Sequence, residues 1–393
     1  MWAMGREGEV VERLLPELYR RHPEIQVRVQ QIPWSAAHEK LLTAFVGDSM
    51  PDVFQLGNTW LPELVALGAV GAIEPQVMDG LDLDDYFPGI LDTNRIDGSL
   101  WALPWYVDTR LLFYRSDLLA EAGYTNPPRS WDAWMEMMHA IKQHGGSDHY
   151  AAFLPLREWQ TPVILALQRG AELLREHDQH GNFEGEPFRA AFNFYVELFR
   201  RGLAPASGDS QVANVYSDFA AGYFTFYVTG PWNLGELQAR LPAGLNDRWT
   251  TAPMPSPNDT YPGISLAGGS SLAVFRGTRH EASARQLIAF LSEPAQQVEF
   301  YRLTGDLPAR RTAWESDALR QNTRAQAFRE QLQALRSTPK IPEWERIADK
   351  IMLYAERAVR GDLTVDAALA ALDADVEVIL EKRRWLLRRR DEG

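Results

Sequence analysis

The apolar residues of the first seventy positions change their spacing again and again, and that alternation constrains the fold more than any other feature. Val10, Val11, Leu14, Leu15 and Leu18 recur at helical spacing, and Pro23 stops the run. Ile25, Val27 and Val29 then alternate with Gln26, Arg28 and Gln30, as in a half-buried strand. Ser35 is placed to cap a helix through Leu41, Leu42 and Phe45. Val53 to Leu56 reads as a short buried strand, and Leu61, Leu64 and Leu67 as a helix closed by Gly68. Strand, helix, strand, helix predicts an α/β chain with a mostly parallel sheet covered on both faces. The first helix opens near Glu7, so a strand before it would have almost no length. That spacing suggests that residues, such as an export signal, once preceded Met1.

Further along, Asp97-Gly98 predicts a hairpin, Val107 to Tyr114 one long strand, and Ser130 a helix cap. Helices are expected around 161–170, 187–201 and 212–221, strands at Phe224–Val228 and Ser271–Phe275, and an almost wholly helical chain after about 280. At 393 residues the chain is long enough for two domains. No flexible linker joins them, so the chain is expected to cross between lobes on structured segments, at Tyr106–Arg110 and Gly268–Leu272.

Composition narrows the function classes. A net charge of −13 disfavours nucleic acid and anionic lipid as partners. The absence of cysteine removes disulfides, thiolate nucleophiles and thiolate metal sites together. No phosphate-cradling GxxxxGK[ST], HExxH or GxSxG is present. His177 with His180 reads more plainly as a polar loop than as a metal site, and the run Asp79, Asp82, Asp84, Asp85 lacks the closing Glu of a calcium loop. No cofactor or metal is implied. Glu7, Asp108, Glu158 and Asp306 sit near predicted loop or strand ends, which keeps a glycoside hydrolase with paired carboxyl groups as the alternative reading.

Five polar–aromatic loops carry the stronger signal: Gly57-Asn58-Thr59-Trp60, Pro104 to Arg110, Arg157 to Gln160, Gly230 to Asn233, and Gly305 to Arg310, the last expected to join two helices. Each places an aromatic or charged group where a parallel sheet usually binds ligand. With 13 tryptophans in the chain, those on loops are the ones available as flat apolar faces for a sugar ring.

At these same stretches the sequence resembles the extracellular solute-binding proteins of ABC importers, in the group containing maltose- and trehalose-binding proteins. The resemblance covers nearly the whole chain. It is strongest over Val107–Gly123 (VDTRLLFYRSDLLAEAG) and on through Pro127-Pro128-Arg129-Ser130-Trp131 to Trp134. Pro51 to Phe54, Gly230-Pro231-Trp232, Ala267 to Leu272 and Gly305 to Pro308 follow in the family's order. It implies a two-lobe periplasmic-binding-protein fold (type II) with three hinge crossings and a ligand cleft between the lobes. Residues 1–107 with 274–310 would form one lobe and 108–273 with 311–393 the other. It also implies a monomer in the periplasm that captures a small neutral saccharide and delivers it to transmembrane permease subunits. By position, Glu7, Tyr106 and Asp108 would meet sugar hydroxyls, Trp232 would form the aromatic wall, Gly268 and Gly269 would admit the sugar close to the backbone, and Arg310 would reach in from the last crossing. Thr59, Trp159 and Trp344 complete the expected ligand contacts. Where some relatives carry Asp, this chain has Gly57 and Asn58, and the Asn58 amide is expected to replace that contact.

Overall fold

The computed structural model describes residues 1–74, 78, 81–206, 214–258 and 260–391. Asp79 of the acidic run lies outside the described residues, as do positions 212 and 213 of the helix expected over 212–221. Its described part is Val215–Ala221.

Two sheets organise the chain. The first has six strands in the order Leu307–Pro308, Leu103–Asp108, Gly268–Val274, Val53–Gly57, Trp2–Met4, Gln30–Ile32. It is mixed rather than mostly parallel in its pairing: Gly268–Val274 and Leu307–Pro308 run against the others. The strand ahead of Glu7 does exist, as Trp2–Met4, in parallel register with Gln30–Ile32. Residues 25–29, expected as a strand, lie outside that ladder. It begins where the Gln30 amide donates to the Met1 carbonyl at 2.9 Å. Helix Trp34–Val46 starts one residue before Ser35, and no side chain caps it. The second sheet is ordered Trp249–Ala252, Leu111–Arg115, Phe224–Thr229, Tyr150–Phe153.

The stretch Val107 to Tyr114, expected as one strand, is two. Leu103–Asp108 pairs in the first sheet and Leu111–Arg115 in the second, and Thr109 and Arg110 carry the chain across. A second passage, expected within Gly268–Leu272, lies just before it. Ser265–Leu266 pairs with Leu335–Arg336, whereas Gly268 onward pairs with Asp108 and Val107. Residues 268–273 therefore lie in the first sheet, although the boundary was expected after them. After Leu307–Pro308, Trp314 still anchors to the Pro308 carbonyl at 2.9 Å. By Thr323–Gln331 the chain has reached the second sheet, where the Thr251 hydroxyl donates to the Arg324 carbonyl at 2.7 Å. The segment Gly305 to Arg310 is not a plain helix–helix loop, because Leu307–Pro308 forms the edge strand.

Period-2 alternation divides the core. Leu112 and Tyr114 face one apolar cluster, which also holds the helices Glu186–Arg200, Trp344–Arg360 and Val365–Asp391. Leu111 and Phe113 face another, continuous with Leu103, Val107, Leu272 and Phe300 beside the first sheet. A third cluster, with Phe54, Leu56 and Ala273, covers the first sheet's far face.

Gly269, just before the register shift between Ser270 and Ser271, has φ +143°, and a Cβ there would lie 2.3 Å from the Tyr106 carbonyl oxygen. Gly269→Ala is expected to destabilise the fold by roughly 1–3 kcal/mol. Denaturant unfolding checks this, and an unchanged midpoint would show that the strand pair tolerates the side chain.

Candidate functional site

The first sheet's strand ends collect at one edge. Trp2–Met4 leads into helix Gly5–Val10 with Glu7, Val53–Gly57 leads to Asn58, and Leu103–Asp108 ends on Asp108. The two reversed strands begin at the same edge, with Gly268 and with Asp306 just before Leu307. Opposite stand Trp159, in the loop that follows Tyr150–Phe153, and Trp232, which opens the helix Trp232–Arg240 after Phe224–Thr229. A cleft of about 610 Å³ lies between them, lined by residues from both sides. It is of the size that holds small ligands.

At the first sheet's edge, buried Gln55 ties the acceptors and donors together. Its carbonyl accepts from the Met4 amide at 2.7 Å, and its amide donates to Glu7 and to the Tyr106 hydroxyl, both at 3.4 Å. Glu7 also accepts from the Tyr106 hydroxyl at 2.6 Å and from Trp34 Nε1 at 3.2 Å. Burial raises the Glu7 carboxyl above its ordinary range by more than these donors lower it. Burial, then the charge of Glu7, raises the Tyr106 phenol, so it stays a donor. Asp306 is buried beside them and is raised well above its ordinary value, first by desolvation and then by the Glu7 charge.

Arg110 fills the joint between the sheets. Its Nη1 donates to Asp108 Oδ1 at 2.6 Å, its Nη2 lies 3.5 Å from Glu158, and its guanidinium carbon sits 4.5 Å from the centre of the Trp232 ring. Burial disfavours its charge, but the carboxylates of Asp108 and Glu158 outweigh that and hold it firmly cationic.

Trp34 and Trp60 on one side and Trp159 and Trp232 on the other line the cleft, while Trp105, Trp134, Trp314 and Trp344 are core. Trp34 and Trp60 meet edge to face at 5.6 Å. The Trp232 ring folds back over Gly230, where a Cβ would meet it at 1.9 Å. Only glycine leaves room for that ring.

Of the residues expected from the sequence, Glu7, Asn58, Thr59, Tyr106, Asp108, Trp159, Trp232, Gly268 and Gly269 line the cleft. Two do not. Arg310 is buried, donates to Asp85 at 2.7 Å and lies over the Tyr86 ring at 4.9 Å. It is spent on internal neutralisation. Trp344 is fully buried and packs edge to face behind Trp159 at 5.3 Å. The Asn58 amide, expected to stand in for an Asp, is engaged internally: it donates to Thr93 at 2.8 Å and accepts from Ser271 at 2.7 Å. Gly268 and Gly269 are required first by the adjacent strand, since a Cβ at Gly268 would lie 2.9 Å from the Asp108 carbonyl. Cleft residues not assigned to the ligand from the sequence include Trp34 and Tyr216, which no motif singles out, Trp60, Arg110 and Gln160, which lie in the polar–aromatic loops, and Asp306, weighed only as a hydrolase carboxyl group. Trp34 and Trp60 each follow the end of a strand, which is the signal that could have found them.

Residues 4–298 match the family of bacterial extracellular solute-binding proteins. The chain belongs to that family. The solved structure of the sugar-binding protein MalE from Xanthomonas citri is 48% identical, covers 98% of each chain and superposes with a TM-score of 0.93. The diacetylchitobiose-binding protein DasA of Streptomyces coelicolor is 25% identical over 94% of this chain and 86% of its own length. A putative binding protein of Brucella abortus is 26% identical over 96% and 91%. The fold is the two-lobe architecture of these proteins. Among the described residues, no helix of this solute-binding protein is long and apolar enough to cross a membrane.

Two predictions follow from the electrostatics of this solute-binding protein. Arg310→Met leaves Asp85 buried without its cation and is expected to cost about 3–5 kcal/mol in denaturant unfolding. A loss below 1 kcal/mol would mean that the pair is not structural. Asp306 binds its proton more tightly folded than unfolded, so its contribution to stability falls as pH rises from the ordinary carboxylate range toward the raised value. Asp306→Asn should therefore gain stability relative to the parent as pH rises above about 4. Unfolding curves at a series of pH values read this, and a constant gap would contradict it.

Proposed function

We propose that this protein is the receptor of an ABC importer. It captures a small neutral sugar, a disaccharide such as maltose or trehalose, between its lobes, releases it unchanged and hands it to transmembrane permease subunits. It works as a monomer in the periplasm, and closure swings the lobe built on the first sheet against the lobe built on the second.

The observation that carries this reading is the makeup of the cleft: tryptophan faces on both sides, around hydrogen-bonding groups of both signs. Sugar rings present apolar C–H faces to aromatic rings and hydroxyls to fixed donors and acceptors. Charged partners contribute about 1.5–3 kcal/mol each to such bonds. Glu7, Asp108, Glu236 and Asp306 stand with Arg6, Arg110 and Arg240 in the lining, a mixture of signs that favours a neutral ligand over an ionic one. The likeness to a sugar-binding protein at 48% identity supports the same class. Hydrolysis needs carboxyl groups free to act as acid and as base or nucleophile. Here Asp108 is tied to Arg110 and Glu7 already accepts from Tyr106, Trp34 and Gln55, which favours capture over cleavage. A ligand that touches both lobes binds the closed form better and shifts the hinge equilibrium toward it.

Calorimetric titration with a panel of neutral disaccharides should give a Kd of about 1 μM or tighter for at least one. Silence across the panel would count against the proposal. For a sugar that binds, Trp232→Ala should weaken affinity at least about tenfold while the thermal transition moves little. Asp108→Ala is the less clean test, because it also strips a buried arginine of its partner.

A further inference from the structure

We infer that Arg110 is the positioning residue of the cleft: one guanidinium holds the acceptor Asp108 on the first lobe and the aromatic wall Trp232 on the second. The inference rests on the sugar-receptor reading and deepens it.

Arg110 lies on the first passage between the sheets, and both of its ends are anchored. Its carbonyl accepts from the Ser265 hydroxyl at 2.7 Å, and Ser265 lies two residues before the second passage at Ala267. Its side chain, 8% exposed, turns back to Asp108 at 2.6 Å and reaches toward Glu158 at 3.5 Å. Asp108 keeps 27% of its side chain exposed while Arg110 occupies its Oδ1. Meanwhile the guanidinium carbon lies over the Trp232 ring, 4.5 Å from its centre. Gly230 lets that ring fold back to meet it.

A planar fork that is always charged can pair with a carboxylate in its plane and stack on a ring with its face. Lysine offers the charge without the face, and methionine offers neither. Asp108 ends a strand of the first sheet and Trp232 follows a strand of the second, and the Arg110 side chain touches both. With it, a hydroxyl acceptor and a stacking wall are oriented before the ligand arrives, which removes an ordering cost from binding. Because Arg110 also sits at the joint, the lobe movement that brings ligand to Trp232 is felt at Asp108.

The test uses the full chain labelled with 5-fluorotryptophan, with the Trp232 resonance identified by its loss in Trp232→Phe. Arg110→Met should shift and broaden that resonance in the ligand-free protein. It should also weaken maltose or trehalose binding, whichever the parent takes, at least tenfold by calorimetry. Arg110→Lys should recover part of the affinity while the Trp232 resonance stays displaced. If Arg110→Met does not fold, Arg110→Lys carries the test alone through that displaced resonance and a loss of several-fold. An unmoved Trp232 resonance, or affinity within twofold of the parent, would overturn the inference. Silence of the parent protein toward the whole disaccharide panel would instead sink the sugar-receptor reading, and the fluorine spectrum would still decide whether Arg110 holds Trp232.

Discussion

A guanidinium buried between two sheets is the constraint on which the site depends. Taking an arginine out of water is costly unless its charge is matched and its donors are used. Here the match comes from both sides of the joint: Asp108 ends a first-sheet strand, and Glu158 lies in a loop of the second. Matching the charge of Arg110 draws those two edges together, while its Nε stays buried without a partner. The cleft is the space that remains between them. Tyr106, two residues before Asp108, is carried to the same edge and completes the polar floor with Glu7 and Gln55.

A second buried arginine shows what distinguishes a site from a staple. Arg310 pairs with Asp85 as closely as Arg110 pairs with Asp108, and it too lies over an aromatic ring. Burial alone would raise Asp85, yet the donors Thr312 and Arg310 outweigh it and hold that carboxyl low. Both partners of that pair are closed off from solvent, and both stay beside the first sheet. Asp108, by contrast, remains partly open to the cleft. The chemistry of the two pairs is the same, and exposure and sheet membership assign them different work.

That difference explains what the sequence could and could not reveal. Turn and strand signals are local, so the hairpin at Asp97-Gly98, the cap at Ser130 and the strand at Val53 were legible in full. The strand ends that carry Glu7, Asn58, Asp108 and Trp232 were legible through their loops and through the family resemblance. Whether an arginine there points into a cleft or into the core depends on a partner far away in sequence. Asp85 is far from Arg310 along the chain, and Trp344 was drawn behind Trp159 by a helix that no local pattern places. The break of Val107–Tyr114 into two strands was hidden for the same reason. Thr109 and Arg110 have ordinary strand composition, and only pairing to different neighbours divides them. The Asn58 amide looked available for ligand until Thr93 and Ser271 were seen to occupy it.

Capture of an intact sugar in this cleft is tested most directly by a crystal structure of the protein grown with a disaccharide that it binds. The expected result is density for the uncleaved disaccharide between Asp108 and Trp232, one ring lying on the tryptophan and a hydroxyl at the carboxylate. Density for cleaved monosaccharides, or a sugar bound away from these two residues, would contradict it.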